Sequence, residues 1–173
     1  MTQYFPSTGF DAQVPLPQVA SIGIAVKPDM MKKLTLQLDL NYTGWNCFDS
    51  LRFNFFQNTQ YLKNEHLPRM YHNTLTTRLG ANYKLSKVLS LMAGAAYDPT
   101  PVADGYVSPD LPDADRILLT CGVAVKPIHK ITLLAAMEST NGLKRNGMYN
   151  YGNFGGTYQT NALTIGLGAY YNF

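Results

Sequence analysis

The chain has 173 residues, of which 46% are hydrophobic and only 14% are charged, and its formal net charge is +3. The apolar content excludes an intrinsically disordered chain, and a charge this small, carried by scattered lysines, excludes a nucleic-acid-binding domain. The length predicts one domain, and the numbers of Tyr, Gly and Pro favour strands and turns over helices.

Two features bear on the relation of the chain to a membrane. Its longest nearly apolar stretch, 117–125, is far shorter than the roughly 18 residues that a membrane-spanning helix needs, so a helical membrane protein is excluded. Strands of a β-barrel need only about 10 residues each and alternate in polarity, so the barrel class stays open. Residues 1–6 lack the basic start and apolar core of a secretory signal, which predicts either a cytosolic chain or one whose front end is missing.

Alternation of apolar and polar residues predicts the strands. Residues 34–43 read Leu-Thr-Leu-Gln-Leu-Asp-Leu-Asn-Tyr-Thr, so apolar side chains fall on one face and polar side chains on the other. This period of two is the pattern of a β-strand, and residues 163–173 repeat it, whereas no stretch has a sustained helical period. The sequence therefore predicts an all-β chain with seven strands, at 20–26, 34–43, 71–84, 89–97, 116–125, 131–137 and 162–173.

The polar faces of these strands carry mostly Thr, Asn, Gln, Gly and Ser, with few charges. In a soluble sandwich, the face that meets bulk water is expected to carry Lys and Glu instead. Small neutral polar residues suit a crowded, hydrated barrel interior, and a face of Leu, Ile and Tyr suits lipid. The pattern favours an antiparallel transmembrane β-barrel, and the alternative is a soluble β-sandwich binding module.

The connections between the predicted strands are of two kinds, as in outer-membrane barrels. Three short basic turns lie at 27–33, 84–87 and 126–130, and three long polar loops lie at about 57–69, 99–114 and 140–161. We expect the turn lysines to be solvated residues that hold strand ends at the membrane interface, without a ligand role. Residues 1–17 are expected to be an extracellular lead-in to a single partial-barrel domain, 1–173, whose strands and loops occupy 18–173.

The odd strand number predicts only part of a barrel, because bacterial single-chain barrels have even numbers of strands. Residues 51–56 are expected to extend the ascending strand 34–43 above the membrane. If they formed an eighth barrel strand instead, the assignment of turns to the two rims would fail. A complete eight-stranded barrel with a structural or adhesin role is the second alternative.

Several motifs resemble one known family. Residues 97–102 read Tyr-Asp-Pro-Thr-Pro-Val and residues 111–116 read Leu-Pro-Asp-Ala-Asp-Arg. They resemble a signature of the FadL/TodX family, in which an aromatic-Asp-x-Ser/Thr-Pro-Val strand end is followed by a Pro-Asp-x-Asp-Arg strand entry. Residues 42–45, Tyr-Thr-Gly-Trp, and the ending 171–173, Tyr-Asn-Phe, are similar to that family's strand end and closing strand. The resemblance extends from about residue 16 to residue 173.

The resemblance implies the C-terminal half of a fourteen-stranded barrel in the outer membrane of a Gram-negative bacterium. Such proteins passively transport long-chain fatty acids and other hydrophobic compounds, and this half is not expected to be competent alone. The expected partners are fatty-acid-like small molecules, outer-membrane lipid, and the barrel assembly machinery, which would recognise the alternating C-terminal strand that ends at Phe173. No nucleic acid partner and no cofactor are expected.

A pathway for fatty acids needs apolar walls and a cation for the carboxylate. Residues 61–65 loosely resemble a family segment whose Lys meets the head group of the bound ligand, so Lys63 is the candidate cation. Its expected apolar neighbours are Phe53, Phe55, Phe56 and Tyr61.

Other polar residues are expected to have structural roles. A polar network inside the barrel is predicted for Asp39, His72, Arg78 and Glu138, because charges in a barrel interior usually pair with one another. A loop latch is predicted for Asp113, Asp115 and Arg116, in which carboxylates pair with the guanidinium and fix the strand entry. No catalytic residue is predicted, because no histidine has a nucleophile and a carboxylate at a suggestive spacing. No metal ligand is predicted, because the sequence contains no Cys-x-x-Cys or Cys/His spacing typical of a zinc site.

Overall fold

A computed structural model describes residues 9–173, and its regular structure consists of strands and three short 3-10 helices. The strands are β1 (Phe10–Gln13), β2 (Val19–Val26), β3 (Leu34–Thr43), β4 (Ser50–Phe55), β5 (Glu65–Pro68), β6 (Thr74–Lys84), β7 (Leu89–Asp98), β8 (Arg116–Ile128), β9 (Ile131–Gly142), β10 (Arg145–Tyr149), β11 (Phe154–Tyr158) and β12 (Asn161–Tyr171). The 3-10 helices are Asp29–Met31, Trp45–Cys47 and Asn150–Gly152. None of the helices in this part of the chain is long and apolar enough to cross a membrane.

Seven of the strands form one antiparallel sheet, in the order β12-β9-β8-β7-β6-β3-β2. These are the seven predicted strands, so the prediction of an all-β antiparallel sheet of about seven strands is confirmed. Each strand pairs with its neighbours along the chain across a short turn or a long loop. Within residues 9–173, β2 and β12 do not pair with each other, so the sheet is open and the alternative of a small closed barrel is wrong.

The extension predicted for residues 51–56 takes a different form. The helix Trp45–Cys47 separates β3 from β4, and β4 pairs with β1 and β5 in a three-stranded sheet of its own. Residues 51–56 are therefore neither a continuation of β3 nor an eighth strand of the large sheet. The cause is tertiary, because the lead-in strand β1 supplies the backbone partner on one side of β4 and the loop strand β5 supplies it on the other.

The strand register of the large sheet places apolar residues together on one face and polar residues together on the other. Leu38 lies opposite Leu79 and Asp39 lies opposite Arg78, so the alternation of β3 continues across β6. On the apolar face, Ile165 is 70% exposed and Leu167 is 84% exposed. A face with that much unpartnered apolar surface is the one that suits lipid, and the Thr- and Gly-rich face is the interior one.

The buried core lies in the long loops and not in the sheet. Within the described chain, the buried hydrophobic side chains are Phe48, Val102 and Val107. They belong to a cap formed by the three-stranded sheet, by the hairpin of β10 and β11, and by the loop 99–114. The cap covers the end of the sheet opposite the three short turns, and it holds the first candidate site.

Candidate functional site

The loop cavity, of about 700 Å³, lies in the cap between β4 and the segment 60–65. Phe53 and Phe55 line it because alternate residues of β4 project from the same face. Tyr61 and Lys63 come from the loop that follows, and Tyr151 comes from the turn between β10 and β11. Four of the five predicted ligand contacts therefore share one cavity.

Phe56, the fifth predicted ligand contact, does not line the loop cavity. It follows Phe55 on the opposite face of the backbone and is 66% exposed. Its N–H donates to the Gly9 carbonyl (3.2 Å), and its ring lies beside Gly9, where a Cβ would be 3.4 Å away. Tyr151, in contrast, lines the cavity although the sequence analysis missed it, since no local pattern links residue 151 to residues 53–65.

Side-chain hydrogen bonds hold the loop that carries Lys63 in place. Asn64 Oδ1 accepts the Phe55 N–H (2.9 Å), and the Asn64 N–H donates to Asn58 Oδ1 (2.9 Å). The Leu62 N–H donates to Thr59 Oγ1 (3.0 Å). On the neighbouring strand β1, the Phe10 ring lies 6.1 Å from Phe53 and 5.7 Å from Phe55 between centroids. Hydrogen bonds within the loop and ring contacts with β1 therefore hold the walls of the cavity in place.

The loop cavity combines apolar walls with one ammonium group. Lys63 is exposed and has no ion-pair partner among residues 9–173, although Glu65 also lines the cavity. An unpaired ammonium beside Phe and Tyr rings can donate hydrogen bonds to a carboxylate while the rings contact an apolar chain.

The predicted loop latch lies at the entry to β8, beside a second cavity of about 410 Å³. Arg116 Nη2 pairs with Asp98 Oδ2 at 2.7 Å, and Arg116 Nη1 lies 3.7 Å from Asp113 Oδ1. Thr76 Oγ1 donates to Asp98 Oδ1 (2.7 Å), and Thr100 Oγ1 donates to Asp113 Oδ2 (2.7 Å). The main partner of Arg116 is thus Asp98, which faces it directly in the register of β7 and β8.

Asp115 forms its hydrogen bonds with groups other than the Arg116 guanidinium. Its carboxylate accepts the Tyr97 hydroxyl and, at 2.9 Å, the Thr100 N–H. It ties the end of β7 to the start of β8 without pairing with Arg116. The three predicted residues are close together, but only Asp113 and Arg116 form an ion pair.

An ion pair between a buried arginine and an exposed aspartate, which the sequence analysis missed, joins two loops of the cap. Arg69 is 2% exposed and donates to both carboxylate oxygens of Asp110, at 2.8 and 3.3 Å, and to Ser108 Oγ. The hydrogen bond from Arg69 lowers the pKa of Asp110 to about 2, and the same bond raises the pKa of Arg69. Burial raises the pKa of Tyr71 nearby. This pair stays charged at any physiological pH.

Arg145 connects the same loop to the hairpin. It donates to the carbonyl oxygens of Val102 (2.7 Å) and Asp113 (3.0 Å) and to Asp104 Oδ1 (2.8 Å). Loops that are far apart in sequence therefore form one packed unit above the sheet.

The predicted interior network is only partly assembled. Asp39 and Arg78 are direct cross-strand neighbours, but no ion pair within 4.0 Å joins them. The Asp39 carboxylate lies over Gly23, where a Cβ would be 2.1 Å from Oδ1. Glu138, three strands from Arg78, accepts the Thr140 hydroxyl at 3.4 Å. His72 lies before β6, where its N–H donates to the Pro101 carbonyl (2.8 Å), so it belongs to the cap.

The comparison with known proteins agrees with this architecture. A family model described as outer membrane protein transport protein (OMPP1/FadL/TodX) matches residues 7–173. The crystal structure of a Pseudomonas aeruginosa FadL homologue matches with a TM-score of 0.78 and 25% sequence identity, over 94% of this chain and 37% of that one. The chain thus spans little more than a third of the length of the FadL homologue. No curated protein matches it significantly.

These matches confirm the resemblance inferred from residues 97–102 and 111–116. They also confirm the outer-membrane location and the fold, since the open sheet superposes on a stretch of the FadL homologue. The family consists of transport proteins. The chain belongs to the OMPP1/FadL/TodX family of outer-membrane transport proteins of Gram-negative bacteria.

Proposed function

We propose that this chain forms part of the wall of a passive pathway for hydrophobic compounds across the outer membrane. We further propose that the loop cavity captures compounds with a carboxylate head, such as long-chain fatty acids. Membership of a transport family supports the first statement. The observation that carries the second is the juxtaposition of Lys63 with Phe53, Phe55 and Tyr61 in one cavity.

Capture at the loop cavity uses a cation and apolar walls together. The Lys63 ammonium donates hydrogen bonds to the carboxylate, and the aromatic rings cover the first part of the acyl chain, which removes apolar surface from water. Glu65 in the same cavity keeps the local positive charge low, and therefore favours release over tight retention. No energy source is needed, because the compound follows its concentration gradient.

The rest of the proposed pathway follows the two faces of the sheet. The apolar face contacts lipid, and the interior face, rich in Thr and Gly, lines the inside of the pathway below the cap. The open edges β2 and β12 support the proposal that these seven strands are not competent alone, because unpaired backbone groups are not tolerated in lipid. We also propose that the barrel assembly machinery recognises the alternating strand β12 together with the C-terminal Phe173.

The test is oleate binding to the protein purified from outer membranes in a nonionic detergent. Lys63→Gln is expected to weaken oleate binding about tenfold, because a hydrogen bond to a charged group is lost, and to leave binding of oleyl alcohol unchanged. Lys144→Gln is the matched control, since it removes another exposed loop lysine that does not line the cavity. Equal effects of the two substitutions, or an equal loss of oleyl alcohol, would refute a head-group contact at Lys63.

A further inference from the structure

The loop cavity holds two opposite charges that do not neutralise each other. Lys63 and Glu65 both line it, yet neither has an ion-pair partner within 4.0 Å among residues 9–173. Other carboxylates of the cap differ in this respect, since Asp49, Asp104 and Asp110 are each paired with an arginine. A bound compound that supplies only an anion would satisfy Lys63 and leave Glu65 without a counter-charge.

The strand register places both charges beside the aromatic walls. Glu65 of β5 lies directly opposite Phe53 of β4, so these two side chains leave the same face of the three-stranded sheet. Phe55 follows Phe53 on that face, and Lys63 precedes Glu65 by the same interval of two positions. Between the two charged residues, Asn64 Oδ1 accepts the Phe55 N–H at 2.9 Å, which keeps the segment of Lys63 alongside β4. The ammonium and the carboxylate therefore flank the same rings.

Other charged residues of the three-stranded sheet lie on its opposite face. Arg52 and His66 form the next pair in the register, and the alternation of side chains turns both away from the loop cavity. Asp11 of β1 lies opposite Asn54 of β4 and projects from that far face as well. Neither Arg52 nor His66 is therefore placed to neutralise Glu65.

Four aromatic rings complete the lining of the loop cavity. Phe53 and Phe55 come from β4, Tyr61 comes from the loop, and Tyr151 comes from the turn of the hairpin. The Tyr151 ring has support from outside the cavity, since its centroid lies 6.0 Å from that of Tyr149. Aromatic faces carry partial negative charge and attract cations, and sets of such rings recognise quaternary ammonium groups. The lining therefore suits an organic cation as well as an apolar chain.

We propose that the loop cavity prefers amphipathic compounds with a zwitterionic head, in which a quaternary ammonium group and an anionic group lie close together. The inference rests on the proposed function, because the apolar chain and the contact of Lys63 with an anion are common to both. Glu65 and the aromatic rings take the cation, and Lys63 takes the anion. Long-chain betaines and phosphocholine lipids have heads of this class.

A zwitterionic head fits the cavity better than a simple carboxylate for an electrostatic reason. A fatty acid brings its carboxylate close to Glu65 as well as to Lys63, so repulsion offsets part of the attraction. A quaternary ammonium on the same head adds an attraction to Glu65. Its methyl groups can be covered by the rings without burying an unsatisfied hydrogen-bond donor. The volume of about 700 Å³ lies within the range of roughly 300–1,000 Å³ of small-molecule sites, which leaves room for the head and the adjoining part of the chain.

The test compares amphipaths that share one alkyl chain length and differ in the head. Radiolabelled N-dodecyl-N,N-dimethylglycine (dodecyl betaine) carries both charges, laurate carries only the anion, and dodecyltrimethylammonium carries only the cation. Binding is measured on the full protein in nonionic detergent. We expect dodecyl betaine to bind about tenfold more tightly than laurate, because its cation adds contacts with Glu65 and the rings. Dodecyltrimethylammonium is expected to bind more weakly than dodecyl betaine, because it has no group for Lys63.

Substitutions separate the two halves of the head-group site. Glu65→Gln is expected to weaken dodecyl betaine about fivefold without weakening laurate, a split that damage to the cavity would not produce. Tyr151→Leu keeps an apolar wall and is expected to weaken dodecyl betaine about threefold, again without weakening laurate. Lys63→Gln is expected to weaken both compounds. The matched control is Asp11→Asn, which removes a carboxylate from the far face of the same sheet and is expected to retain both affinities.

Several results would overturn the proposal. Equal losses of dodecyl betaine and laurate on Glu65→Gln would mean that Glu65 only maintains the shape of the cavity. Dodecyl betaine that binds no more tightly than laurate, or that is weakened equally by Asp11→Asn, would mean that the cavity has no site for the cation. Displacement of the labelled probe by equimolar glycine betaine would mean a site for small solutes instead of amphipaths. Failure of the proposed function is distinguishable, because it appears as an unchanged laurate affinity on Lys63→Gln, whatever Glu65→Gln does to dodecyl betaine.

Discussion

The Arg69–Asp110 pair gives the sharpest prediction about the stability of the cap. Asp110→Asn keeps the shape of the side chain but removes the charge that holds the buried guanidinium. The pKa of Asp110 falls from its ordinary 3.8 to about 2, and this shift would correspond to about 2.4 kcal/mol if none of it were screened. Because the Asp110 side chain is 59% exposed, we expect a smaller loss of about 1–2 kcal/mol.

The same pair predicts the dependence of cap stability on pH. The folded-state pKa of Asp110 lies below the unfolded value, so its contribution is fully present above about pH 4 and is lost as the pH falls from about 4 to about 2. The protein contains one tryptophan, Trp45, which lies 5.9 Å from the Tyr71 ring in the cap. Urea titrations followed by Trp45 fluorescence, at pH 7 and through the acid range, therefore report on the cap.

The control is Asp104→Asn, which removes a carboxylate from another cap arginine, Arg145, at a side chain that is 98% exposed. We expect no measurable change in the urea midpoint for this variant. The reasoning is refuted if Asp110→Asn shifts the midpoint no more than the control does. It is also refuted if the Asp110→Asn variant loses as much stability between pH 4 and pH 2 as the unsubstituted protein does.

Two further substitutions test the packing of the cap and the assignment of the sheet faces. Gly147→Ala would place a Cβ 2.7 Å from Val107 Cγ1, so we expect the cap to lose about 1–3 kcal/mol of stability. The loss would be measured as faster hydrogen exchange of the β10 amides. An unchanged exchange rate would contradict the packing of Gly147 against Val107. Leu167→Arg puts a charge on the lipid face and is expected to cost about 2–4 kcal/mol in urea-dependent folding into lipid vesicles. Gly166→Arg is its control, because no heavy atom lies within 4 Å of a Cβ at that position on the interior face, and an equal cost for both would contradict the face assignment.

Local sequence patterns determined the sheet and its faces. The alternation in residues 34–43 depends only on which side chains a strand turns to lipid and which to the interior, so it is readable without knowledge of the partner strands. The short basic turns likewise predicted which strands are neighbours. The motif at 97–102 and 111–116 was enough to indicate the family.

Only the tertiary structure decided what the loops do. The pairing of Arg69 with Asp110 spans 41 positions, and Tyr151 reaches the loop cavity from a hairpin far along the chain. Neither contact has a periodic signal, because irregular segments are placed by side-chain hydrogen bonds and packing and not by strand register. The short-turn lysines were each visible as solvated turn residues, and it is the pairing of adjacent strands that gathers four of them around one cavity. Sequence alone therefore determined the strands of the large sheet, and packing between distant segments decided the shape of its candidate sites.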